Sequence, residues 1–460
     1  MTARSASTGR TAMILTILAT AWTGCSDDPV TSKPWPSVVA CSSPAPSTQV
    51  KSWTRFEVDA GEVGAAFVAV GDLNNDGRTD IVVSSFGLVD TRTSEVILEP
   101  GTVDAYLQGD GLDCWMKVPV VTREMGIYFP NRPTLADVDG DGDLDVTVPG
   151  GFFACKYART PGESCGVLLW MENQGGPWVR HDIVPFGSSA FYHTAVWKDF
   201  DGDGVQDLVT CGEKTSDAQT VWFKGDANLP AHVGDQPRVI GKGGGSLPRV
   251  VDVDGDGDLD VVSAEYFVVF EEGEKASFVW FERTAEPSAG TPAGAWTRHK
   301  IDTDHGRAVM LEVVPDLYGD GVSRYVGTNH TNSTGSDPGP ESVVLVFDVP
   351  GDPKQPWPHK QISKGIKSRP TVGLAYMAAP GLFGAGDIDG DGDVDIALAG
   401  DGDQRTFWLE QTAPGAFETH VIEDSLGQAS GAIVADLDGD GSNELVFSGF
   451  EDDVVYVYGR

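Results

Sequence analysis

Seven short segments carry carboxylates at a spacing that suits one task, the binding of a divalent cation. The pattern is Asp-x-Asp-x-Asp-Gly-x-x-Asp, with oxygen-bearing side chains at positions 1, 3, 5 and 9 and an apolar run directly after each copy. Four copies are complete: Asp137/Asp139/Asp141/Asp145, Asp199/Asp201/Asp203/Asp207, Asp252/Asp254/Asp256/Asp260 and Asp387/Asp389/Asp391/Asp395. Two more, Asp72/Asn74/Asp76/Asp80 and Asp436/Asp438/Asp440/Glu444, keep an oxygen at every position. In so tight a loop the side chains at positions 1, 3 and 5 converge, glycine at position 6 permits the sharp turn, and position 9 closes the shell. Calcium takes six to eight oxygens at about 2.3–2.6 Å, which this arrangement supplies. An EF-hand opens in the same way but needs Glu at position 12 between two helices. Position 12 here is Val148, Thr210 or Ser263, and a strand-like run begins after position 9.

The seventh copy departs from the pattern. Tyr318 stands at position 3 and Arg324 at position 9, leaving Asp316 and Asp320. Arginine has no acceptor and brings its own positive charge. This loop is expected to hold no calcium, with Arg324 offsetting the two acids instead. About six structural calcium ions are therefore expected.

The elements that must position these loops repeat with them. The loops start at residues 72, 137, 199, 252, 316, 387 and 436, so successive starts lie between 49 and 71 residues apart. Segments such as WVRHDIV at Trp178, WTRHKI at Trp296 and FETHVI at Phe417 form a second recurring marker. An aromatic-rich third marker includes VLLWME at Val167, SFVWFE at Ser277 and TFWLEQ at Thr406. Apolar runs of four to eight residues between Gly and Asp read as strands, so each unit holds four of them. Seven four-stranded antiparallel sheets close into a ring, and the fold class is an all-β, seven-bladed β-propeller. The second marker appears near Trp53 ahead of any loop, while the last unit ends straight after its third strand. Residues 52–58 are thus expected to supply the missing outer strand of the last blade and so close the ring.

On these loops the chain resembles the FG-GAP/VCBS repeat family, whose members include the integrin α-chain head, over residues 51–460. The resemblance implies calcium in the loop between the first and second strands of each blade. It also implies a recognition surface on the opposite face, where the other loops gather around the channel mouth. Asn131, Arg132, Tyr192, His193, Arg249, His305, Arg307 and Tyr376 fall near that mouth in sequence and are its candidate ligand-binding residues. His193 and His305 are also the candidates for acid–base work.

The N-terminus has its own logic. Arg4 and Arg10 precede an apolar stretch that is too short to span a bilayer and ends in Trp22-Thr23-Gly24-Cys25. This resembles a bacterial lipoprotein signal, with residues 1–24 removed and Cys25 lipidated, although Trp22 stands where such signals usually carry Leu. Residues 25–50, rich in Ser, Pro and Thr, read as a tether. Export implies an oxidising compartment, in which Cys155 and Cys165, bracketing a polar loop, are the expected disulfide. The pairing of Cys41, Cys114 and Cys211 stays open.

A formal net charge of −37 argues against a nucleic-acid partner. The expected partner is a protein or glycan, with membrane contact only through the lipid, an outer-membrane or cell-surface location as a lipoprotein or otherwise secretion, and a monomeric state. Two functions compete. One is a surface-displayed binding module, which the absence of any nucleophile, zinc or phosphate-loop motif favours. The other is a carbohydrate-active enzyme of the polysaccharide lyase or sugar dehydratase type, which related propellers suggest.

Overall fold

The computed structural model describes residues 35, 41, 45–90, 97–152, 155, 164–213, 218–226, 236–245, 247–266, 277–331, 342–370 and 377–460. These residues form seven sheets of sequential antiparallel strands, one for each repeat, in a seven-bladed β-propeller. Blade 4 shows the plan. Its strands run, inner to outer, Arg249–Val251, Asp260–Ala264, Phe278–Ala285 and Ala295–Asp302. The Asp loop joins the inner strand to the second. Inner strands pack side by side around the ring, the last (Ala429–Ala435) against the first (Ala65–Gly71).

Second and third strands are buried along their length because a neighbouring blade covers each face, which is why they read as apolar runs rather than alternations. The core accordingly lies between blades. Val262, Phe278 and Trp280 of blade 4 pack with Leu311, Tyr325 and Phe347 of blade 5 in one cluster. Trp280 is fully buried, and a large side chain so placed contributes on the order of 2–3 kcal/mol.

The ring closes as expected from its ends. Trp53–Asp59 pairs antiparallel with Val454–Gly459, setting Thr54 opposite Gly459. One strand was not expected. Ser47–Val50 turns back through Lys51, at φ 56°, and adds a fifth strand outside Trp53–Asp59. Its side chains are mostly exposed, so it forms by pairing to an open edge and leaves no apolar alternation to read. Further anchors lie upstream, in a Cys41–Cys114 disulfide and a Trp35–Trp178 edge-to-face contact at 5.7 Å. The ordered ring therefore begins ahead of residue 51. Cys155 is joined to Cys165, and Cys211 is a buried free thiol. Residues 1–34, with Cys25 and the signal segment, lie outside the described residues, as does Tyr376.

Candidate metal loops and the opposite face

All seven loops share one backbone. In each, the position-1 aspartate accepts a hydrogen bond from the N–H of position 6, from Gly77 to Asp72 at 2.8 Å through Gly321 to Asp316 at 2.6 Å and Gly441 to Asp436 at 3.0 Å. The N–H of position 7 then donates to the position-5 carboxylate, as in Asp258 to Asp256 at 3.0 Å and Val322 to Asp320 at 3.1 Å. Positions 4 and 6 both take positive φ, here 76° at Gly255 and 97° at Gly257. Asn75, at φ 56°, is the one non-glycine at position 4, in keeping with the tolerance of asparagine for that region.

The position-9 acid begins the second strand and is buried. Asp260 Oδ2 accepts from Val253 N at 3.1 Å, and its Oδ1 accepts from Arg283 N at 2.8 Å. Asp80, Asp145 and Asp395 repeat both bonds. Burial pushes the carboxyls of Asp80, Asp145 and Asp260 up to about 7, although the two N–H donors pull the other way. Each oxygen still has a lone pair free for an ion.

Several donors converge. Ligating atoms of Asp137, Asp139 and Asp145, of Asp252, Asp254 and Asp260, and of Asp199, Asp201 and Asp203 lie within 4.8 Å of one another in each set. Asp199 Oδ1, Asp201 Oδ1, Asp258 Oδ1 and Asp393 Oδ1 are buried with no hydrogen-bond partner. An all-oxygen set with orphaned carboxylate atoms fits a hard divalent cation, calcium above all.

Other expected ligands differ from the enclosed shell that the spacing implies. Asp141 is absent from the tight set formed by Asp137, Asp139 and Asp145. Asp76, Asp141, Asp391 and Asp440, all at position 5, are exposed at the loop tips, and so is Asp438 at position 3. Each gives one oxygen to the loop backbone. Asp76 accepts from Arg78 N at 3.0 Å, Asp141 from Asp143 N at 3.0 Å and Asp391 from Asp393 N at 3.0 Å. Asp440 accepts from Ser442 N at 2.7 Å, and Asp438 from Asp440 N at 3.2 Å. The physical reason is the Asx turn: so short a side chain reaches the N–H two residues on, which aims one oxygen along the backbone instead of at the loop centre. Asn74 departs further. Its Oδ1 accepts from Asp76 N at 3.1 Å, while its Nδ2 donates to Asp76 Oδ2 at 3.2 Å, so its amide neutralises part of the site itself. Asp141, Asp391, Asp438 and Asp440 each keep a second oxygen for an ion, whereas both oxygens of Asp76 are engaged, so positions 1 and 9 are the better-built half of the shell.

Two loops carry a cation of their own. In the Asp316 loop, Arg324 binds Asp320 through two parallel bonds of 2.8 and 2.7 Å and donates Nε to Asp348 at 2.9 Å. Its guanidinium lies 3.9 Å from the centre of the Tyr318 ring. Arg324 thus offsets Asp320 as expected, but its second acid is Asp348 rather than Asp316. In the Asp199 loop, the Lys224 ammonium bridges Asp201, at 2.6 Å, and Asp203.

Lys224 and Asp348 occupy one structural position, two residues past the aromatic site of the third strand. In blades 2, 4 and 6 that position is Glu172, Glu282 or Glu410. Burial and then the position-5 acid raise the carboxyls of the position-3 aspartates Asp139, Asp254 and Asp389, and each of these glutamates adds a smaller push in the same direction. Each Glu pairs with an outer-strand histidine stacked on the Trp, namely His181 on Trp170, His299 on Trp280 and His420 on Trp408, at ring separations of 4.4–4.8 Å. The sequence carries this as W-x-E in the third marker and His in the second. Beside those copies, W-x-K at Lys224 is the signal that was available and missed.

On the opposite face the candidate ligand residues separate. Asn131 is buried and donates to the carbonyls of Gly151 and Tyr192 at 3.1 and 2.9 Å, tying blade 2 to blade 3. Tyr192 is buried in the cluster around Ala195 and Leu208. Neither presents a polar group at the mouth. Arg132 of blade 2 and Arg249 of blade 4 meet on Glu312 of blade 5. Arg249 makes two hydrogen bonds to it, and Arg132 Nη1 stands 3.8 Å away. Blades 2 and 5 are not neighbours, so this cluster crosses the channel. Burial opposes the charge on Glu312, but the two arginines hold its carboxyl below the usual range. Burial also brings Arg132 down to about 10. Glu312 thus offsets one of the two positive charges in the basic pit.

Arg307 is half-buried, and its carbonyl accepts from His330 N at 2.7 Å. His305 turns away from the channel to Asp302 and to His359 on the outer strand of blade 5. At the mouth stand two acid–histidine pairs instead. His193 Nδ1 lies 3.1 Å from Glu213, and His330 Nε2 lies 3.7 Å from Asp401 while its Nδ1 donates to Pro380 O. Beside them an edge-to-face arc of rings runs Phe450, Phe86, Phe129, and from Phe129 through Phe152 to Phe191.

Comparison with known proteins agrees with this architecture. Residues 387–447, which run from the Asp387 loop through the second, third and outer strands of blade 6 and into the second strand of blade 7, match the FG-GAP-like repeat family. Integrin alpha-5 of Xenopus laevis is 27% identical over 175 residues, 35% of this chain but 16% of that protein's own length. A solved rhamnogalacturonan lyase of Bacillus licheniformis superposes with a TM-score of 0.47 at 14% identity, covering 89% of this chain and 75% of the lyase. With acidic loops at every blade, the chain is a seven-bladed β-propeller that carries an FG-GAP-like repeat match at residues 387–447.

Proposed function

We propose that the protein is an exported, lipid-anchored binding module whose Asp loops hold calcium and whose opposite face takes a protein or glycan ligand. The observation that carries the reading is the aromatic arc. Phe86, Phe152 and Phe450 are half-buried at the tops of their second strands, so part of each ring stays open to solvent there. Rings of this kind accept the apolar face of a sugar or an apolar side chain, and the adjacent His193–Glu213 and His330–Asp401 pairs supply hydrogen bonds for orientation. The calcium loops lie at the far end of every blade. Their ions would therefore stiffen the scaffold without touching the ligand, with Asp137, Asp252, Asp387 and their loop partners as the holders. Cys25 would carry the lipid.

A binding screen of acidic and neutral polysaccharides and of surface proteins, run on the calcium-loaded chain, tests the reading. Binding should fall when Phe152 is replaced by Ala, with the melting temperature followed as a check on folding. Turnover of a polysaccharide, seen as new unsaturated product and lost in His193→Ala or His330→Ala, would replace this reading with the enzymatic one.

A further inference from the structure

We infer a second kind of metal site, for a nitrogen-preferring transition ion such as zinc, held by Asp302, His305 and His359 where the outer strands of blades 4 and 5 meet. Their ligating atoms all lie within 4.8 Å of one another. His305 Nδ1 is 3.1 Å from Asp302 Oδ2, His359 Nδ1 is 4.0 Å from Asp302 Oδ1, and the two rings stand 4.8 Å apart at 86°. Ligands at about 2.0–2.1 Å from a tetrahedral zinc are separated by roughly 3.3 Å, close to the His305–Asp302 spacing, while His359, measured to the other carboxylate oxygen, has to close by several tenths of an ångström.

The site differs from every other histidine environment among the described residues. His181, His299 and His420 each stack on a tryptophan and pair with their own glutamate, while His193 and His330 each face one acid. Only His305 and His359 converge on a single carboxylate. That carboxylate is held in place, because Asp302 is buried and its Oδ2 accepts the backbone N–H groups of Asp304 and His305, both at 3.1 Å. The Phe347 ring lies 5.4 Å from that of His359. Ligands fixed by outer contacts in this way are what a metal site requires.

Donor chemistry separates this site from the Asp loops. Two imidazoles and one carboxylate favour zinc, cobalt, nickel or copper, whereas calcium prefers all-oxygen shells. Three protein ligands leave a fourth position open, and His359, with its side chain 32% exposed, puts that position on the solvent side. A water or a partner's side chain would fill it. The strongly acidic surface favours any cation's approach.

The experiment titrates the calcium-saturated protein with cobalt(II), then displaces it with zinc. One equivalent should bind with the intense visible absorption of a tetrahedral, nitrogen-ligated ion. His359→Gln and His305→Gln should each weaken that binding by about tenfold or more, while calcium stoichiometry and melting temperature hold and His330→Gln has no effect. His359 sits on the exposed outer strand, so its variant decides the matter even if Asp302→Ala fails to fold. Cobalt bound equally well by His359→Gln, or no stoichiometric cobalt at all, overturns the proposal.

Discussion

The loops that begin at Asp252 and at Asp316 fold alike and differ in what neutralises them. Both carry the position-6 and position-7 hydrogen bonds and two left-handed glycines. At Asp252, three ligating carboxylates crowd within 4.8 Å, and no cationic side chain among the described residues bridges them. Two like charges about 4 Å apart cost on the order of 4 kcal/mol at an effective dielectric near 20, so such a loop waits for a cation from solution. At Asp316 the cation is covalent. Arg324 replaces the ninth-position acid, forks onto Asp320 and rests on Tyr318, the residue that replaced the third-position acid. Loop geometry and metal demand are thus separable. The Asx turns make the shape, and the acids at positions 3 and 9 make the need for calcium.

The largest test of this contrast is chelation. Six loaded loops, at about 2.7 kcal/mol each when the ion is a hundredfold above its dissociation constant, imply that EGTA should lower the melting temperature by about ten degrees or more. An unchanged calorimetric transition breaks the comparison. Next comes Asp260→Ala, which removes a proposed calcium ligand and orphans the N–H groups of Val253 and Arg283. A loss of about 2–4 kcal/mol in urea unfolding is expected, against about 1–2 kcal/mol for Arg324→Ala. Equal losses would mean that the acid is only a structural cap.

A gain-of-site test follows. Tyr318→Asp combined with Arg324→Asp should convert the seventh loop and raise the bound calcium by one ion per chain, read by native mass spectrometry. Lys224 gives a smaller effect, since its ammonium bridges Asp201 and Asp203 and must leave when an ion enters. Lys224→Met should tighten the weakest calcium step by about tenfold, near 1.4 kcal/mol, in a calorimetric titration without changing the final count. Smallest is the acid response of the seventh loop. Hydrogen bonding to Arg324 lowers the Asp320 carboxyl to about 2. A depressed carboxyl stabilises the fold above its unfolded value near 4, and that contribution is lost as the pH falls toward 2. The Asp320 carbon resonance should titrate near 2 in the parent and near 4 in Arg324→Gln.

What was legible in the sequence was whatever lies within one loop or recurs from blade to blade. The acids at positions 1, 3, 5 and 9 are local, so spacing alone puts them in one loop. How far each turns inward was not legible, because the backbone N–H groups that hold Asp141 and Asp391 at the tip compete for the same oxygens. The count of blades and the closing strand near Trp53 followed from markers that repeat. Contacts made between elements were hidden as well. Lys224 reaches the third loop from a strand 21 residues beyond Asp203, and Asp348 reaches Arg324 from 24 residues on. Arg132 and Arg249 looked like a free basic pit because their partner, Glu312, arrives from across the channel. His305 looked like a mouth residue until its loop proved to lean outward on His359. Ser47–Val50 escaped notice because an exposed edge strand is shaped by its neighbour rather than by a buried face.

The seam in blade 7 also sets an order of events. Thr54 faces Gly459 from 405 positions away (459 − 54), and closing so long a loop costs about 3 kcal/mol more in chain entropy than closing one of ten residues. Six blades can assemble from near neighbours as the chain lengthens, but the Trp53–Asp59 strand, paired on one side with Ser47–Val50, has no partner within the ring until Val454–Gly459 exists. The Trp53–Asp59 strand is therefore among the last to dock, and until then the outer edge of Val454–Gly459 is open to any other strand. A chain halted short of Val454 instead leaves the edge of Glu444–Gly449 bare permanently, which makes truncated products of this protein candidates for strand exchange with one another.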